Sequence, residues 1–382
     1  MSVGEIFYMQ ERGNMTIKEL IERKRYVKRA IAYKFYRLPG VWRLLGEKHI
    51  PKVKSANGKM VPFGQAAEEA LDIYDGALDV GKKKTIRQDM MRAWYKNLVT
   101  PEEYSYFEFI PLSQRERDKF VSRKEKDQRM CLHVGIGDNY LLLKDKYKFY
   151  NKFSAFFHRD VCLLTKQEAD ILSFKKFCKV HGEYIAKNNK GRMGMGTVIR
   201  AHDGSDDAID QEAKYLFSQG EEWVVEELIH QDERISALNS SSVNTVRVCS
   251  RWNSDGFAIF ETVIRMGRKG AIVDNVSSGG ITAVIDPNTG IVISDAVDKC
   301  CHFYPKHPDS LIEIKGFQIP EWDSLKKVAY QIHAVIPYYP YIGWDFALSD
   351  KGWVVVEGNW GNFISQYILK RGIRKEFDKC FR

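Results

Sequence analysis

Two acidic residues and one amide lie near the end of the chain at a spacing that suits a metal site. Glu357 and Asn359 are two residues apart in GWVVVEGN, and Asp345 lies upstream in GWDFALS. Residues two apart on a β-strand point to the same face, and a short turn at 350–351 would bring Asp345 opposite them. Carboxylate and amide oxygens are hard ligands, which Mg²⁺ takes together with substrate phosphates. The spacing therefore predicts a magnesium site on a β-hairpin.

The alternative is an exposed hairpin with scattered polar residues. The neighbouring residues count against it, because Trp344, Phe346 and the run 353–356 are strongly apolar. Acidic side chains within such runs are expected to be buried, and a buried acid needs a partner. The apolar flanks thus favour metal binding.

A glycine-rich segment, EYIAKNNKGRMGMGTVIR (183–200), carries Lys187 before Gly191, Gly194 and Gly196. Glycines let a backbone turn closely around phosphates, while lysine and backbone amides supply positive charge. The segment matches neither the P-loop pattern nor the dinucleotide fingerprint. A flexible β-turn explains this segment equally well, so the loop alone does not establish nucleotide binding.

The elements that must position these residues are mainly short strands. Strands are predicted over 222–229, 243–252 and 257–267, a second hairpin around 287–290, and a helix over 322–335, from alternation, turn residues and helical periodicity. The predicted fold class is α+β, with antiparallel sheet and packed helices behind a helical N-terminal region.

That N-terminal region is strongly basic. Residues 15–62 contain 13 Lys/Arg and three acids, whereas the whole chain has a net charge of +9. A capping box at Thr16–Glu19 predicts the start of an amphipathic helix, and 65–98 is also predicted to be helical. The helix could lie on an anionic membrane, dock on the rest of the protein or present a solvated face. Nucleic-acid binding is not expected, since no aromatic single-strand platform or helix-turn-helix pattern accompanies the charge.

Composition narrows the class of protein. The chain has 382 residues, of which 44% are hydrophobic and 13% aromatic, enough to build a core. It contains no apolar run long enough to span a bilayer and no signal-peptide pattern at the N-terminus. Seven cysteines without a C-x-x-C pair argue against structural zinc and a disulfide framework. The expected location is the cytoplasm, with reduced thiols.

The order of the motifs resembles the ATP-grasp superfamily: a lysine before a glycine-rich loop, a strand ending at 226–228, arginine-bearing strands, and then D…E-x-N. The segments VNTVRVCS, VIRMG, VDNVSSGG, HPDS, GFQIPEWD and GWDFALS…VVVEGN are similar to the sugar-transfer-associated ATP-grasp family. The resemblance covers roughly 125–370. That family is known mostly from polysaccharide biosynthesis clusters.

The resemblance implies two α+β lobes that clamp ATP. It divides the chain into a basic helical region (1–115), a part with the glycine-rich-loop lobe (116–230) and a C-terminal lobe with the metal site (231–382). The implied activity is ATP-dependent carboxylate–amine ligation through an acyl phosphate, in cell-surface polysaccharide or glycoconjugate biosynthesis. Two alternatives stay open: a phosphotransferase on the same fold, and a non-catalytic nucleotide-binding partner of a glycosyltransferase complex.

The implied partners are a carboxylate substrate and an amine acceptor. A uronic acid or amino acid on a glycan precursor is a plausible carboxylate. A lipid-linked precursor would explain residues 15–62 as a peripheral contact with the inner face of the cell membrane.

The resemblance also assigns nucleotide-binding residues: Lys146, Lys187, Gly194, Gly196, Glu226, Glu227, Leu228 and Glu233. Lys146 and Lys187 would hold ATP phosphates, although Lys148 and Lys152 are close rivals of Lys146. The strand end and connector at 226–228 would accommodate adenine, with Glu226 accepting from its amino group. Glu233 would bind the ribose hydroxyls, with Asp232 as a competitor.

The remaining assignments concern the metal and the reaction. Asp345, Glu357 and Asn359 would bind two Mg²⁺ ions that bridge the ATP phosphates. Arg247 and Arg265 would be the electrostatic catalysts, the alternative for each being a surface salt bridge. Further implied or open positions are a substrate-side loop at Asn275, Gly279 and Gly280, and His302 or His307 as a base for the amine. The segment 360–363 lacks a Pro-Gly turn found in many relatives, which leaves the acceptor pocket undefined.

Overall fold

A computed structural model describes residues 24, 27–28, 31–32, 34–38, 40–55, 59–72, 79–135, 141–191, 196–361 and 363–382. The chain forms two compact units, residues 1–137 with 362–382, and residues 138–361. The three-part division at residues 115 and 230 stays a prediction.

In chain order the helices are α1 (Val41–Leu45), α2 (Phe63–Leu71), α3 (Val80–Asn97), α4 (Pro101–Tyr106), α5 (Gln114–Arg117), α6 (Arg123–Val134), α7 (Lys146–Phe153), α8 (Glu168–Val180), α9 (Asp206–Gln219), α10 (Glu233–Ser236), α11 (Trp322–Ala334), α12 (Ser365–Leu369) and α13 (Arg374–Lys379). The strands are β1 (Val53–Lys54), β2 (Met60–Val61), β3 (Val161–Leu164), β4 (Glu183–Asn188), β5 (Thr197–Ala201), β6 (Trp223–Glu226), β7 (Thr245–Asn253), β8 (Gly256–Met266), β9 (Ile281–Ile285), β10 (Ala296–Val297), β11 (Phe303–Tyr304), β12 (Tyr341–Ser349) and β13 (Gly352–Asn359).

The first unit is helical around an aromatic core. Its buried residues come from α2, α3, α4 and the segment that follows, and include Ala67, Met90, Trp94, Phe107 and Phe120. The prediction of one helix over 65–98 is wrong, because α2 ends at Leu71 and α3 begins at Val80. The Asp79 carboxylate accepts the Lys82 N–H at 2.8 Å, which starts a new helix there.

The second unit contains two antiparallel sheets, which confirms the α+β prediction. The smaller sheet has the order β3-β6-β4-β5. Apolar side chains of α8 and α9 pack against one of its faces, where Phe174, Tyr184 and Leu216 are fully buried. The glycine-rich segment is the connection between β4 and β5, whose pairing runs as far as Lys187 opposite Thr197.

The larger sheet has the order β11-β10-β9-β8-β7-β12-β13. The β7–β8 and β12–β13 hairpins lie where alternation and turn residues predict them. The hairpin predicted around 287–290 is much less regular, with one β9–β10 pair, Val297 opposite Thr282, and an isolated bridge from Ile285 to Val292. The Phe153 ring of α7 packs edge-on against the buried Trp344 ring at 5.4 Å.

None of the helices in the described ranges is long and apolar enough to cross a membrane. All seven cysteines fall within the described residues, and each is a free thiol.

Candidate active site

A β-bulge brings the acidic residues of the last hairpin together. Asp345 pairs with Glu357 and Gly343 with Asn359, but the register shifts so that Phe346 pairs with Val355. Regular alternation from the turn would have placed the intervening Val356 opposite Asp345. Because the bulge absorbs this extra residue, the carboxylates of the two strands share a face.

Both predicted catalytic arginines contact Asp345. Arg247 donates to the two carboxylate oxygens at 2.6 and 2.7 Å, and Arg265 donates to one of them at 2.6 Å. Asp345 is only 1% exposed. Burial alone would raise the pKa of Asp345, but the two guanidinium groups outweigh it and lower the pKa below its usual value. Arg247, Arg265 and the hairpin acids therefore form one charged cluster.

Glu357 is the more open acid of this cluster. Its side chain is 48% exposed and lies 4.0 Å from the Arg247 guanidinium. Desolvation and the Asp345 carboxylate both raise the pKa of Glu357. Because solvent reaches nearly half of the Glu357 side chain, its desolvation is incomplete. The negative charge of Asp345 is therefore the main reason that the pKa of Glu357 is raised. A divalent cation would relieve that repulsion, and the oxygens of Asp345, Glu357 and Asn359 are of a type that suits Mg²⁺. Asp345 already accepts three hydrogen bonds from Arg247 and Arg265, which leaves about one lone pair of its carboxylate for a metal.

Asp274, which the sequence analysis missed, holds Arg265 from the other side. Its carboxylate accepts from Arg265 at 2.7 Å and from the backbone and hydroxyl of Thr245. Arg265 also donates to the Asn275 side chain. The loop turns tightly here, because a Cβ on Gly280 would lie 2.4 Å from the Asp274 carbonyl oxygen. The predicted substrate-side loop is thus folded onto the Arg265 guanidinium.

Lys187 and Glu226 form a buried ion pair on the smaller sheet. Lys187 Nζ lies 2.8 Å from Glu226 Oε1, and Arg159 donates twice to the other oxygen, at 2.9 and 2.6 Å. Burial would raise the pKa of Glu226, but Lys187 and Arg159 outweigh it and hold the pKa at about 2. Arg159 also donates to the Val355 carbonyl oxygen on β13 at 2.8 Å. This arginine was missed because nothing in the sequence before β3 distinguishes it from an exposed charge.

Lys146 points toward the glycine-rich loop. Its ammonium donates to the carbonyl oxygens of Asn188 and Gly191 at 2.9 and 2.6 Å. Its rivals Lys148 and Lys152 are exposed. Burial lowers the pKa of Lys146, the Glu357 carboxylate counteracts this, and Lys187 lowers the pKa further. The charges of Glu357 and Lys187 thus both act on the Lys146 ammonium.

Of the two glycines predicted to bind the nucleotide, Gly196 is among the described residues. Gly196 has a φ of +71°, a left-handed conformation that favours glycine, and its carbonyl oxygen accepts the Asn188 N–H at 3.0 Å. Gly194 lies outside the described residues.

The connector after β6 is held in place by contacts of Glu227 with neighbouring segments. Glu227 accepts the Asp160 N–H and the Lys351 ammonium, both at 3.0 Å. His181 lies 2.8 Å from the Asp160 carboxylate, completing a group of three possible metal ligands, but Lys351 already supplies a positive charge there. Leu228 lines a small depression next to this group.

The two candidates for the ribose differ in availability. Asp232 caps α10 and pairs with Arg234 at 2.8 Å, so its carboxylate is occupied. The neighbouring Glu233 is exposed, and its carboxylate has no hydrogen bond or ion pair with another described residue.

The two candidate histidines lie in different environments. His307 is fully buried, with Nε2 at 2.9 Å from the Gly267 carbonyl oxygen, an arrangement that supports the loop. His302 is exposed and lies 2.9 Å from the Asp298 carboxylate.

Comparison with known proteins identifies one family. The sequence model of the family described as sugar-transfer associated ATP-grasp matches residues 126–379. No curated protein matches the chain.

Several solved structures are similar to the chain at low identity. D-alanyl-alanine synthetase A from Vibrio cholerae has 12% identity and a TM-score of 0.36, over 57% of this chain and 55% of that one. N5-carboxyaminoimidazole synthetase from Staphylococcus aureus, complexed with ADP, has 13% identity and a TM-score of 0.37, over 64% and 52%. D-alanine–D-alanine ligase from Bacillus anthracis, complexed with ATP, has 16% identity and a TM-score of 0.36, over 62% and 60%. The chain thus spans little more than half the length of these structures.

Proposed function

Because this chain belongs to the sugar-transfer associated ATP-grasp family, we propose that it is an ATP-dependent ligase that joins a carboxylate to an amine. One observation carries the proposal: Arg159 joins the lysine side of the site to the metal-site strand, because it donates both to Glu226, the partner of Lys187, and to the Val355 carbonyl oxygen on β13. Cations suited to phosphates therefore adjoin oxygens suited to Mg²⁺, which is what binding of a metal–nucleotide complex requires.

In the proposed reaction a carboxylate oxygen of the substrate attacks the γ-phosphorus of ATP, and the bond to ADP breaks. The amine nitrogen then attacks the carbonyl carbon of the acyl phosphate, loses a proton, and expels inorganic phosphate. The products are an amide, ADP and phosphate. The chain's own contribution is to orient these groups and to offset their negative charge.

Each charged group has a proposed part in this reaction. Lys146 and Lys187 bind the nucleotide phosphates, and Gly196 keeps the loop close to them. Asp345, Glu357 and Asn359 would hold Mg²⁺, which supplies charge neutralisation between phosphate oxygens.

The two arginines act on the reacting anions. Arg265 is positioned by Asp274 and Arg247 by Asp345, so that they lower the repulsion between the carboxylate and the γ-phosphate.

The class of substrate is also a proposal. The family description associates these chains with sugar transfer, which supports a carboxylate on a sugar or glycan precursor. We propose a role in the synthesis of a cell-surface polysaccharide or glycoconjugate, carried out at the cytoplasmic side.

The decisive experiment measures ADP and phosphate release with Mg-ATP across pairs of sugar acids or amino acids with amines. A carboxylate labelled with ¹⁸O should transfer one label to the released phosphate, because the bridging oxygen of an acyl phosphate comes from the carboxylate. We expect Glu357→Gln to lower turnover at least about 100-fold. The matched control is Glu313→Gln, which neutralises an exposed glutamate that pairs with Lys306 and has no assigned part in the reaction.

Other outcomes would replace the proposal. Phosphate that stays covalently attached to the acceptor would identify a phosphotransferase. Nucleotide binding without turnover on any pair, combined with full activity of Glu357→Gln in the host pathway, would identify a non-catalytic partner protein.

A further inference from the structure

An apolar stripe on the N-terminal helical segment faces solvent. All described residues between Lys24 and Tyr36 are helical. Three large side chains recur there at intervals of four residues, a spacing that places them on one side of a helix, and a fourth exposed apolar residue follows in the bend just beyond. They are Val27, Ile31, Phe35 and Leu38, and their exposed fractions are 43%, 64%, 52% and 51%.

The opposite side of this segment is attached to the first unit. The Tyr36 ring packs edge-on against the Tyr95 ring at 5.4 Å, and Lys96 donates to the Arg37 carbonyl oxygen at 2.9 Å. At about 100° per residue, Tyr36 lies about 140° around the helix from Ile31. The fold therefore already uses one face of the segment, and the apolar stripe is a different face.

Positive charges border the apolar stripe. Lys24, Lys28 and Lys34 are all exposed, and no described residue of the helical part is acidic. This pattern matches an interfacial helix, which buries apolar side chains below lipid headgroups while cations contact anionic phosphates. A second copy of the chain fits less well, because it would bring the same cations together without acidic partners.

We propose that the apolar stripe inserts into the interfacial layer of an anionic membrane and that the flanking lysines contact the lipid phosphates. The proposed partner is a lipid surface, and its binding does not depend on the reaction proposed for the second unit.

The test is cosedimentation of the full chain with vesicles of phosphatidylcholine, with and without phosphatidylglycerol. We expect binding to vesicles that contain phosphatidylglycerol and at least about tenfold weaker binding for Ile31→Ser/Phe35→Ser, because two buried apolar side chains are removed. The matched control is Leu172→Ser/Val180→Ser, whose side chains are 53% and 73% exposed on α8. Circular dichroism would verify that both double variants fold.

A second variant, Lys24→Gln/Lys28→Gln/Lys34→Gln, tests the charges alone and should also weaken binding. The proposal is wrong if the protein ignores anionic vesicles, binds neutral vesicles equally well, or retains binding in Ile31→Ser/Phe35→Ser. Sedimentation velocity covers the remaining case: a change of oligomeric state in that variant, with vesicle binding intact, would make the stripe a protein interface instead.

Discussion

The fork of the Arg265 guanidinium is the residue-scale feature on which the proposed chemistry depends most. It reaches Asp345 with one nitrogen and Asp274 with the other. A lysine ammonium keeps the charge but cannot hold both acids in a planar fork. We therefore expect Arg265→Lys to lower kcat about 100-fold, with a smaller effect on the KM for ATP, in a coupled ADP-release assay.

The control for this substitution is Arg200→Lys. Arg200 also makes a two-pronged pair, at 2.7 and 2.6 Å to Glu212, away from the candidate site. Equal losses of kcat in the two variants would mean that the effect is one of stability, contrary to the expectation.

Sequence reasoning at this scale succeeds for residues whose type and spacing are distinctive. The hairpin pattern predicts that Asp345 and Glu357 lie opposite each other. The glycine-rich loop that follows Lys187 marks this residue as a candidate phosphate ligand. Arg159 and Asp274 could not be found in this way, because their importance comes from contacts made 67 and 9 residues along the chain. The pairing of a buried charge depends on the tertiary fold, which a local pattern does not specify.

At the scale of elements, His333 links α11 to the larger sheet. It is fully buried, with Nδ1 2.7 Å from the Ser250 hydroxyl and Nε2 3.1 Å from the Tyr339 carbonyl oxygen. Burial lowers the pKa of His333 to about 4. The unfolded chain therefore takes up a proton at higher pH than the folded one, so stability falls as the pH drops from about 6.5 to about 4.

We expect this histidine to contribute about 3 kcal/mol to the fall in unfolding free energy over that pH window. The His333→Gln variant has no such proton to bind. Denaturant unfolding at several pH values should thus show the stability gap between wild type and His333→Gln shrinking as the pH falls. A gap that stays constant would contradict the assignment.

Elements with strong local signals were predictable. The β7–β8 hairpin has alternation and an Asn-Ser-Asp-Gly turn, and α11 has a clear helical period. The break between α2 and α3 was missed because the alanine-rich and charged runs on either side favour helix, although Asp72, Gly76 and Asp79 lie between them. The sparse pairing of β10 was missed because the short apolar run after the 287–290 turn has the pattern of a regular strand.

At the scale of the molecule, the proposed membrane contact and the proposed reaction belong to different units. The apolar stripe lies in residues 1–137, and the candidate active-site residues lie in 138–361. We expect Ile31→Ser/Phe35→Ser to turn over a water-soluble substrate within about twofold of wild type when no vesicles are present. ADP release under those conditions is the measurement, and a loss comparable to that of Glu357→Gln would contradict the separation.

The excess of positive charge in residues 15–62 could be read directly from composition. The sequence does not indicate which face of the helix is docked and which is exposed, because helical periodicity is compatible with either. The Tyr36–Tyr95 contact resolves this for the described residues, since it places the docked face opposite the apolar stripe.

The bulge in the last hairpin gives its two arms different lengths. Four steps lead from Ser349 to Asp345, but five lead from Gly352 to Glu357. A one-residue deletion in the second arm would therefore keep the two carboxylates paired in a regular ladder, while an insertion would require a further irregularity. The site thus depends on the pairing register of the hairpin. A change of register could destroy the site even though every ligand residue is still present in the sequence.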